Sequence, residues 1–528
     1  MSIVKCLLLR LTVSAWPELS PAGAWWAHLK NMFLSVFVSW NCKIKSGMLP
    51  VNKCYFPISE KFSINSFMTA LDLIKSLWEH TRQPTDIISE LSLIGSDPVL
   101  PSSFHVDKMA QTVIGLTALG AAEIWRQRTG EIQSISIDIN HAAAEFRSDR
   151  YQRVDGEPTT NIWDPIAGIY QCGDGKWARI HTNFEHHRKG ILKILKCEND
   201  RSAVEAVISK WSAEDLETTV SEVGFLAVMV RSSEEWLAHA QGQTIAAQPL
   251  LSIEKIGDAP PTAFAKDAER PLSDIRVLDL TRIIAGPVGD RTLAAHGADV
   301  LRITSPNLPG IDPLDIDNGR GKRSTHVDLR TDEGSSALRS LLKEADIFVQ
   351  GYRLDAIANL GFSPANVAAQ KPGIVYGSLS AYGTKGPWAK RRGYDSLVQT
   401  VSGINAAEAE AAGESAPKHP PNQALDHATG YLLAYGIMAA LLRRSQEGGS
   451  WHVQVSLAQT SHWLQSLGRV ENGLALKDQQ EEDVAEFLET TVSGYGELSS
   501  IRHAGKLSVT PAHWAHPSVP LGTHPPNW

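Results

Sequence analysis

The sequence is poor in cysteine and has no excess of positive charge. Its five cysteines among 528 residues include no C-x-x-C pair, which argues against a disulfide framework and a zinc site and fits a reducing, cytoplasmic compartment. The formal net charge of -8 offers no basic surface to a nucleic-acid partner. Residues 32–40 are apolar but only about half as long as a membrane helix, so we expect no membrane partner. The G-x-G-x-x-G motif of dinucleotide-binding folds is also missing.

The length of 528 residues exceeds what one hydrophobic core usually supports, so we expect several regions. Residues 1–67 differ from the rest, and a poorly packed extension and a wrongly assigned start both remain open for them. Residues 68–268 form a first half, and residues 269–470 form a second half. Residues 471–528 are predicted to wrap the surface as a tail, whose end from Arg502 onward is rich in proline and histidine.

The second half alternates between short apolar runs and helical patterns. Strands are predicted at residues 275–280, 300–303, 346–349, 374–379 and 451–457. Helices between them predict a parallel sheet wrapped by helices, an α/β fold. A smaller α+β region is expected around a hairpin at residues 170–180, whose turn contains Asp174 and Gly175.

Two helix–strand units resemble each other, one in each half. Residues 115–139 and residues 434–457 both contain a helix, a basic turn ending in glycine, and a strand. An internal duplication and a chance similarity both remain open for so short a match. If the turns at Gly130 and Gly448 are aligned, Lys108 falls opposite Asp426.

The clearest local motif runs from Val277 to Pro287. A buried strand leads into a loop, and Gly286-Pro287 is predicted to open a helix. Free N–H groups at such a position attract phosphate, although a strand, loop and helix in this order also occur without any ligand.

This motif and later ones, in the same order, resemble family III CoA-transferases, a superfamily that includes formyl-CoA transferase, carnitine CoA-transferase and α-methylacyl-CoA racemase. The matching segments share short glycine- and charge-containing patterns: residues 277–287, 293–300, 321–324, 327–329, 345–352, 360–362, 383–387, 393–395 and 424–426. The first half resembles the later part of the same family, so the halves stand in an unusual order.

The resemblance implies a Rossmann-like domain with a smaller α+β domain, in two interlocked protomers. It implies that Asp426 attacks an acyl-CoA thioester, so that CoA moves to a carboxylic acid through an aspartyl intermediate. Coenzyme A is then a substrate rather than a permanently bound cofactor. Asp426 precedes a predicted long helix, whose dipole is expected to keep the carboxylate ionised; without the resemblance, a helix N-cap is the simpler interpretation.

The resemblance also implies a set of residues that contact coenzyme A. They belong to the first loop, to later walls of the site and to the thioester end: Arg282, Ile283, Ala285, Arg323, Val327, Gly351, Tyr352 and Tyr382. For Arg323 and Arg320, phosphate binding and an ordinary place on the surface are equally good interpretations.

Some positions depart from the family pattern. Thr304 stands where an acidic residue is usual, which weakens the expected adenosine contacts. Tyr394 replaces the histidine of racemase-type members, and a phenol is a poor base near neutral pH; transfer is therefore favoured over racemisation. A silent CoA-binding protein is the third alternative. His427 adjoins Asp426 as a further acid–base candidate, whereas the histidines around His181 lack metal-ligand spacing, and no metal is expected.

Overall fold

Residues 68–528 are the part of the chain that the computed structural model describes. The predicted extension, residues 1–67, lies outside the described residues, together with Cys6, Cys42 and Cys54.

The described helices vary from one turn to seven turns. They are α1 (Ala70–His80), α2 (Val106–Thr129), α3 (Ile139–Glu145), α4 (Ser148–Tyr151), α5 (Glu185–Leu195), α6 (Arg201–Ile208), α7 (Ala213–Glu222), α8 (Ser233–Ala238), α9 (Ala240–Ala246), α10 (Ala285–Ala295), α11 (Asp312–Asn318), α12 (Asp332–Leu342), α13 (Pro364–Gln370), α14 (Asp395–Val401), α15 (Ile404–Ala412), α16 (Ala424–Glu447) and α17 (Leu457–Ser466). Short 3-10 turns occur at Asp86–Glu90, Ala358–Leu360, Gly473–Ala475 and Glu482–Phe487.

The described strands are mostly short. They are β1 (Leu91–Ile94), β2 (Ile135–Asp138), β3 (Arg153–Val154), β4 (Glu157–Pro158), β5 (Gly168–Gln171), β6 (Trp177–Ile180), β7 (Ala227–Met229), β8 (Ser252–Gly257), β9 (Arg276–Leu280), β10 (Asp299–Thr304), β11 (Lys322–His326), β12 (Ile347–Gln350), β13 (Val375–Ser380), β14 (Ser450–Ser456), β15 (Leu488–Ser493), β16 (Gly496–Ile501) and β17 (Lys506–Leu507).

A seven-stranded sheet in the order β11-β10-β9-β12-β13-β14-β8 forms the centre of the second half. All neighbouring pairs are parallel except β14 and β8. Apolar side chains such as Val277 and Leu278 are buried on both faces, as a sheet covered by helices requires. The α/β class with a parallel sheet is confirmed. Strand β8 comes from the predicted first half, so the two halves share this sheet.

Smaller sheets surround the central one. The predicted hairpin is confirmed as β5 and β6, which continue into β7 to form an antiparallel sheet. The tail differs from the prediction, because β16 pairs with β3, and β17 pairs with β2. Leu498 and Ile501 are fully buried there; the tail therefore fills a core instead of only wrapping the surface.

The two similar units have the same geometry in the structure. Helices α2 and α16 both contain 24 residues, pack against each other and lead into a strand followed by another helix. Gly130 ends α2 with a φ of 81°, a conformation that glycine adopts without steric cost. Lys108 and Asp426 are both the third residue of their helices, so the structure supports the alignment made from sequence.

Helices α10 and α16 cross at two glycines. A Cβ atom on Gly430 would lie 2.4 Å from the carbonyl oxygen of Ala285, and one on Gly289 would lie 2.8 Å from the carbonyl oxygen of Gly430. This close approach requires glycine. Because Asp426 lies one turn before Gly430, the crossing brings Asp426 next to the loop between β9 and α10.

Helix α16 is the one described helix that is long and apolar enough to cross a membrane by length and composition. Its most apolar window is completely buried inside the fold. A helix in the core of a soluble fold has the same composition, and we interpret α16 in this way.

Candidate active site

Asp426 lies at the N-terminal end of α16 and is 7% exposed. Its backbone N–H donates to Oδ2 of Asp395 over 2.8 Å. Asp395 is the first residue of α14 and is fully buried. Asp426 is inside the helix, whereas the sequence predicted it just before the helix. Two carboxyl groups therefore share the beginning of the long core helix.

These two carboxyl groups differ in how well they are stabilised as anions. Asp395 accepts hydrogen bonds from the N–H groups of Leu425 and Asp426 and from the amide of Gln399. Burial, and then the negative charge of Asp395, hold the pKa of Asp426 well above its ordinary value. Burial also raises the pKa of Asp395, but its donors oppose the shift. Of the two groups, Asp426 is therefore the one that holds its proton to higher pH, in contrast to the ionised state expected from the helix dipole.

Replacing Asp395 by asparagine is expected to shift the pH dependence of any reaction at the Asp426 carboxylate toward lower pH. The negative charge that raises the pKa of Asp426 is removed, so the carboxylate becomes populated about one pH unit lower. Asparagine still offers an oxygen to the N–H of Asp426. The measurement is the rate of covalent labelling by acyl-CoA as a function of pH, from about pH 5 to about pH 9, which includes pH values well above the ordinary aspartate pKa.

The control for this experiment is Glu414→Gln, which removes the same charge from an exposed side chain. It is expected to leave the pH midpoint unchanged. An unchanged midpoint in Asp395→Asn would show that the charge of Asp395 does not raise the pKa of Asp426.

A cavity of about 30 Å³ lies beside Asp426. This acid cavity is also lined by His181, Phe184, Ile283 and Tyr394. The rings of His181 and Tyr394 stack with their centroids 4.4 Å apart. Burial lowers the pKa of His181 to about 3, so its imidazole is neutral. The acid cavity thus places a neutral imidazole and a phenol near a carboxylic acid.

The loop that borders the acid cavity is strained at Ile283. This residue has a φ of 75°, a left-handed conformation that is a genuine outlier for a β-branched side chain. The amide of Asn318 donates to the Ile283 carbonyl over 3.1 Å. Backbone strain of this kind costs roughly 1–3 kcal/mol and clusters at functional sites, which fits the predicted role of this loop.

A larger pocket of about 340 Å³ lies at the carboxyl ends of β9 and β12. In open parallel sheets, ligands bind at this edge. We call it the arginine pocket, since Arg282, Arg353 and Arg392 line it. Phe184, Ile283 and Tyr394 line both this pocket and the acid cavity, so the two are adjacent.

The three arginines have no carboxylate partner in the described part of the chain. The Arg282 guanidinium lies 5.2 Å from the centroid of the Phe184 ring. Arg392 contacts His187 over 3.4 Å, and burial lowers the pKa of Arg392, followed by the nearby charge of Arg353. Uncompensated guanidinium groups around one pocket are suited to bind phosphate.

A third cavity of about 210 Å³ continues from the arginine pocket. We call it the apolar slot, and its walls include Leu280, Ile303, Val327 and Tyr352. Leu280 and Tyr352 also line the arginine pocket. Neighbouring cavities share lining residues, so the apolar slot, the arginine pocket and the acid cavity form a series of adjacent cavities, the last of which is lined by Asp426.

The structure brings five of the predicted contact residues to this series. Arg282, Ile283, Val327, Gly351 and Tyr352 each line at least one of the three cavities. The structure shows that these residues line the cavities, and their contact with coenzyme A stays a prediction.

Four other arginine, alanine and tyrosine candidates lie elsewhere. Arg323 makes an ion pair of 2.8 Å with Asp299, at the amino end of β10. Arg320 is buried and pairs with Asp317, so neither the surface nor the phosphate interpretation holds for it. Ala285 is part of the helix crossing. Tyr382 is buried behind Gly393, where burial raises its pKa to about 12.

Sequence reasoning missed Arg353, Arg392 and Phe184. The first two directly adjoin motifs that the sequence analysis used, since Arg353 follows Tyr352 and Arg392 precedes Gly393-Tyr394-Asp395. Phe184 comes from the first half, and no local pattern connects it to the second half. His427 is buried and stacked on Phe146, and burial lowers its pKa to about 4.

The sequence model of CoA-transferase family III matches residues 272–493, a segment that contains Asp426 and every predicted contact residue. The chain is therefore similar to CoA-transferase family III over residues 272–493, which are less than half of its length. The matched segment also contains six of the seven strands of the central sheet, all except β8.

Similar proteins carry related names. An acyl-CoA transferase of Gibberella moniliformis is 29% identical over 416 residues, which cover 70% of this chain and 73% of the relative. An acetyl-coenzyme A transferase of Hypoxylon pulicicidum is 30% identical over 57% of this chain and 54% of its own length. An orthorhombic crystal structure of a Mycobacterium tuberculosis protein is 32% identical, with a TM-score of 0.35 over 37% of this chain and 57% of that chain. The chain thus spans only about half the length of the second relative.

Proposed function

We propose that this protein moves coenzyme A from an acyl-CoA thioester to a free carboxylic acid through a covalent intermediate on Asp426. The observation that carries the proposal is the position of the Asp426 carboxyl group. It lines a small cavity that adjoins a pocket with three uncompensated arginines. A nucleophile and an anion-binding pocket are thereby placed within one elongated site.

The reaction has balanced steps. The Asp426 carboxylate attacks the thioester carbonyl, the carbon–sulfur bond breaks, and CoA thiolate leaves behind an acyl-aspartyl anhydride. The thiolate then attacks the aspartyl carbonyl, which releases the donor carboxylate and forms an aspartyl-CoA thioester. The acceptor carboxylate repeats the two steps in reverse order, so that Asp426 is regenerated.

In this proposal the series of cavities would hold the parts of coenzyme A in order. The adenine would lie in the apolar slot, and the phosphates would lie among Arg282, Arg353 and Arg392. The pantetheine arm would then pass Ile283 and Tyr394 to the acid cavity. Ligand sites commonly combine apolar walls with a few convergent polar groups in this way. Coenzyme A would come and go as a substrate.

The raised pKa of Asp426 affects the first step. A protonated carboxyl group is a poor nucleophile, so the proton must leave before attack. We expect covalent labelling to become faster as the pH rises through the raised pKa of Asp426. In the Asp395→Asn variant, this increase is expected at lower pH.

The test is intact-protein mass spectrometry after incubation with a panel of acyl-CoAs. The native protein is expected to gain the mass of CoA or of the acyl group, and hydroxylamine is expected to remove it. Asp426→Asn is expected to show no adduct. No adduct with any donor, despite measurable CoA binding, would contradict the proposed transfer.

A second candidate function is racemisation or isomerisation of an acyl-CoA. The position of His181 in the acid cavity favours it, because an imidazole there is available beside Asp426. The pKa of about 3 for His181 makes this imidazole a weak base. Deuterium exchange at the α-carbon of a 2-methylacyl-CoA, without any protein adduct, would favour this second function.

A further inference from the structure

Three consecutive residues between β9 and α10 connect two of the cavities described above. Arg282 lines the arginine pocket, Ile284 lines the acid cavity, and Ile283 between them lines both. We call residues 281–284 the strained loop, because Ile283 has a left-handed φ of 75°. The direction of the chain at this one residue therefore decides which cavity each of its neighbours reaches.

A left-handed isoleucine does not hold itself in place. Its β-branched side chain makes this conformation unfavourable, and such strain persists only where surrounding contacts over-determine the chain. At the start of the strained loop, Asp279 accepts from the N–H and the hydroxyl of Thr281. A Cβ atom on Gly286 would clash with Cβ of Thr281, so the chain is closely packed there. These contacts act on Thr281, and the strained residue needs a contact of its own.

Asn318 supplies this contact. It is the last residue of α11 and is 1% exposed, and its Nδ2 atom donates to the Ile283 carbonyl over 3.1 Å. Its Oδ1 atom is buried and has no hydrogen-bond partner within residues 68–528. A buried amide whose oxygen is left unpaired costs stability and needs an explanation. The explanation that the geometry offers is the bond from Nδ2 to the strained residue.

Helix α11 is itself firmly attached to α10, which follows the strained loop. Asp317 pairs with Arg291 of α10 over 2.7 Å and with Arg320 over 2.6 Å, and all three side chains are buried. Because Asp317 directly precedes Asn318, these ion pairs fix the position of the Asn318 backbone. The donor to Ile283 is thus presented from a rigid support.

We propose that Asn318 is a positioning residue for the binding of coenzyme A, which acts by holding Ile283 in the left-handed conformation. The inference rests on the proposed function for the identity of the ligand. In the described part of the chain, Asn318 lies outside the walls of the three cavities, so it acts through the strained loop and not by contact. Without its bond, Ile283 relaxes to a negative φ, and Arg282 and Ile284 turn away from their cavities.

The first experiment removes the donor in three backgrounds and measures CoA affinity by calorimetric titration. In the native background, Asn318→Ala is expected to weaken CoA binding about tenfold, the usual effect of one hydrogen bond. Glycine adopts a positive φ without steric cost, so in the Ile283→Gly background Asn318→Ala is expected to change the affinity by less than about twofold. In Ile283→Val, which stays β-branched, the loss of about tenfold is expected to remain.

Two further measurements separate this role from a general loss of stability. Asn405→Ala removes another buried asparagine, whose Nδ2 atom donates to the Lys418 carbonyl over 2.9 Å. This matched control is expected to lower the melting temperature and to leave the CoA affinity unchanged. The pH midpoint of covalent labelling is expected to be the same in Asn318→Ala and in the native protein, because Asp395 and Asp426 keep their contact.

The second experiment tests the inference without any assumption about the ligand. A crystal structure of ligand-free Asn318→Ala is expected to show Ile283 with a negative φ. The ligand-free Asn405→Ala protein is expected to keep the positive φ of the native chain. A φ of Ile283 in Asn318→Ala that stays near the native 75° would overturn the inference directly.

The outcomes separate this inference from the proposed function. A normal adduct together with the same CoA affinity in the native protein and in Asn318→Ala would overturn the role of Asn318 alone. An equal loss of affinity from Asn318→Ala in the Ile283→Gly and Ile283→Val backgrounds would also overturn it, because the effect would not depend on strain. Absence of any adduct would overturn the proposed transfer, while a changed Ile283 conformation in Asn318→Ala would still support Asn318 as the residue that holds the loop.

Discussion

Replacement of Asp426 by asparagine is expected to lower the rate of CoA transfer by on the order of a thousandfold or more. The amide cannot form the acyl anhydride or the aspartyl-CoA thioester, so both halves of the reaction lose their nucleophile. The Michaelis constant for acyl-CoA is expected to change little, since the apolar slot and the arginine pocket are untouched. Steady-state kinetics with a saturating acceptor measures both quantities.

Two controls separate chemistry from folding in this variant. Asp426→Asn removes a buried carboxyl group that lies beside Asp395 and puts an uncharged amide in its place; the melting temperature is expected to stay the same or to rise. Asp426→Glu keeps a carboxylate but extends it by one methylene into a cavity of about 30 Å³. The Asp426→Glu variant is expected to transfer CoA more slowly than the native protein but still to form the covalent adduct. Activity of Asp426→Asn within tenfold of the native value would show that another group is the nucleophile.

Replacement of Lys322 by methionine is expected to lower the free energy of unfolding by about 3–5 kcal/mol. The Lys322 Nζ atom donates to Oδ2 of Asp279 over 2.9 Å and to the carbonyl of Pro287 over 2.8 Å. Burial raises the pKa of Asp279, but the charges of Lys322 and Arg302 outweigh burial and bring this pKa below its ordinary value. Without Lys322, a buried carboxylate loses its ion-pair partner. Denaturant unfolding at pH 7 measures the loss.

A double variant tests this explanation. Asp279→Asn combined with Lys322→Met removes both charges, so most of the lost stability is expected to return. Lys189→Met, in an exposed pair with Glu185, is expected to leave the unfolding midpoint unchanged. A loss in the double variant as large as in Lys322→Met would show that packing, and not the unpaired charge, accounts for the effect.

The same ion pair connects stability to the site. Oδ1 of Asp279 accepts from the N–H of Thr281 over 2.8 Å and from its hydroxyl over 2.5 Å. These bonds hold the start of the loop that contains the strained Ile283. Lys322→Met is therefore expected to weaken CoA binding as well, which a calorimetric titration with CoA would detect.

The elements of the central sheet were predictable because their signals are local. Val277 and Leu278 form an apolar run of strand length, and Gly130 stands where a helix must end. The boundaries were less accurate: helix α10 begins at Ala285, and Pro287 is its third residue rather than its first. Propensities identify the type of an element, whereas its first turn depends on neighbouring contacts.

The position of Arg323 was not predictable in the same way. Its place in a motif suggested phosphate binding, but the parallel order of β10 and β11 directs its ion pair to Asp299, at the end of the sheet opposite the cavities. A sequence gives the order of residues along a strand, but strand pairing decides which end of the sheet each charge reaches.

The sequence by itself determined the parallel α/β class, the resemblance to family III and the choice of Asp426. These depend on periodicity and on motifs within short segments. Only the tertiary structure decided the electrostatics of the site. Asp395 lies 31 residues from Asp426 in the sequence. The burial that raises the pKa of Asp426 arises only when such distant segments pack together.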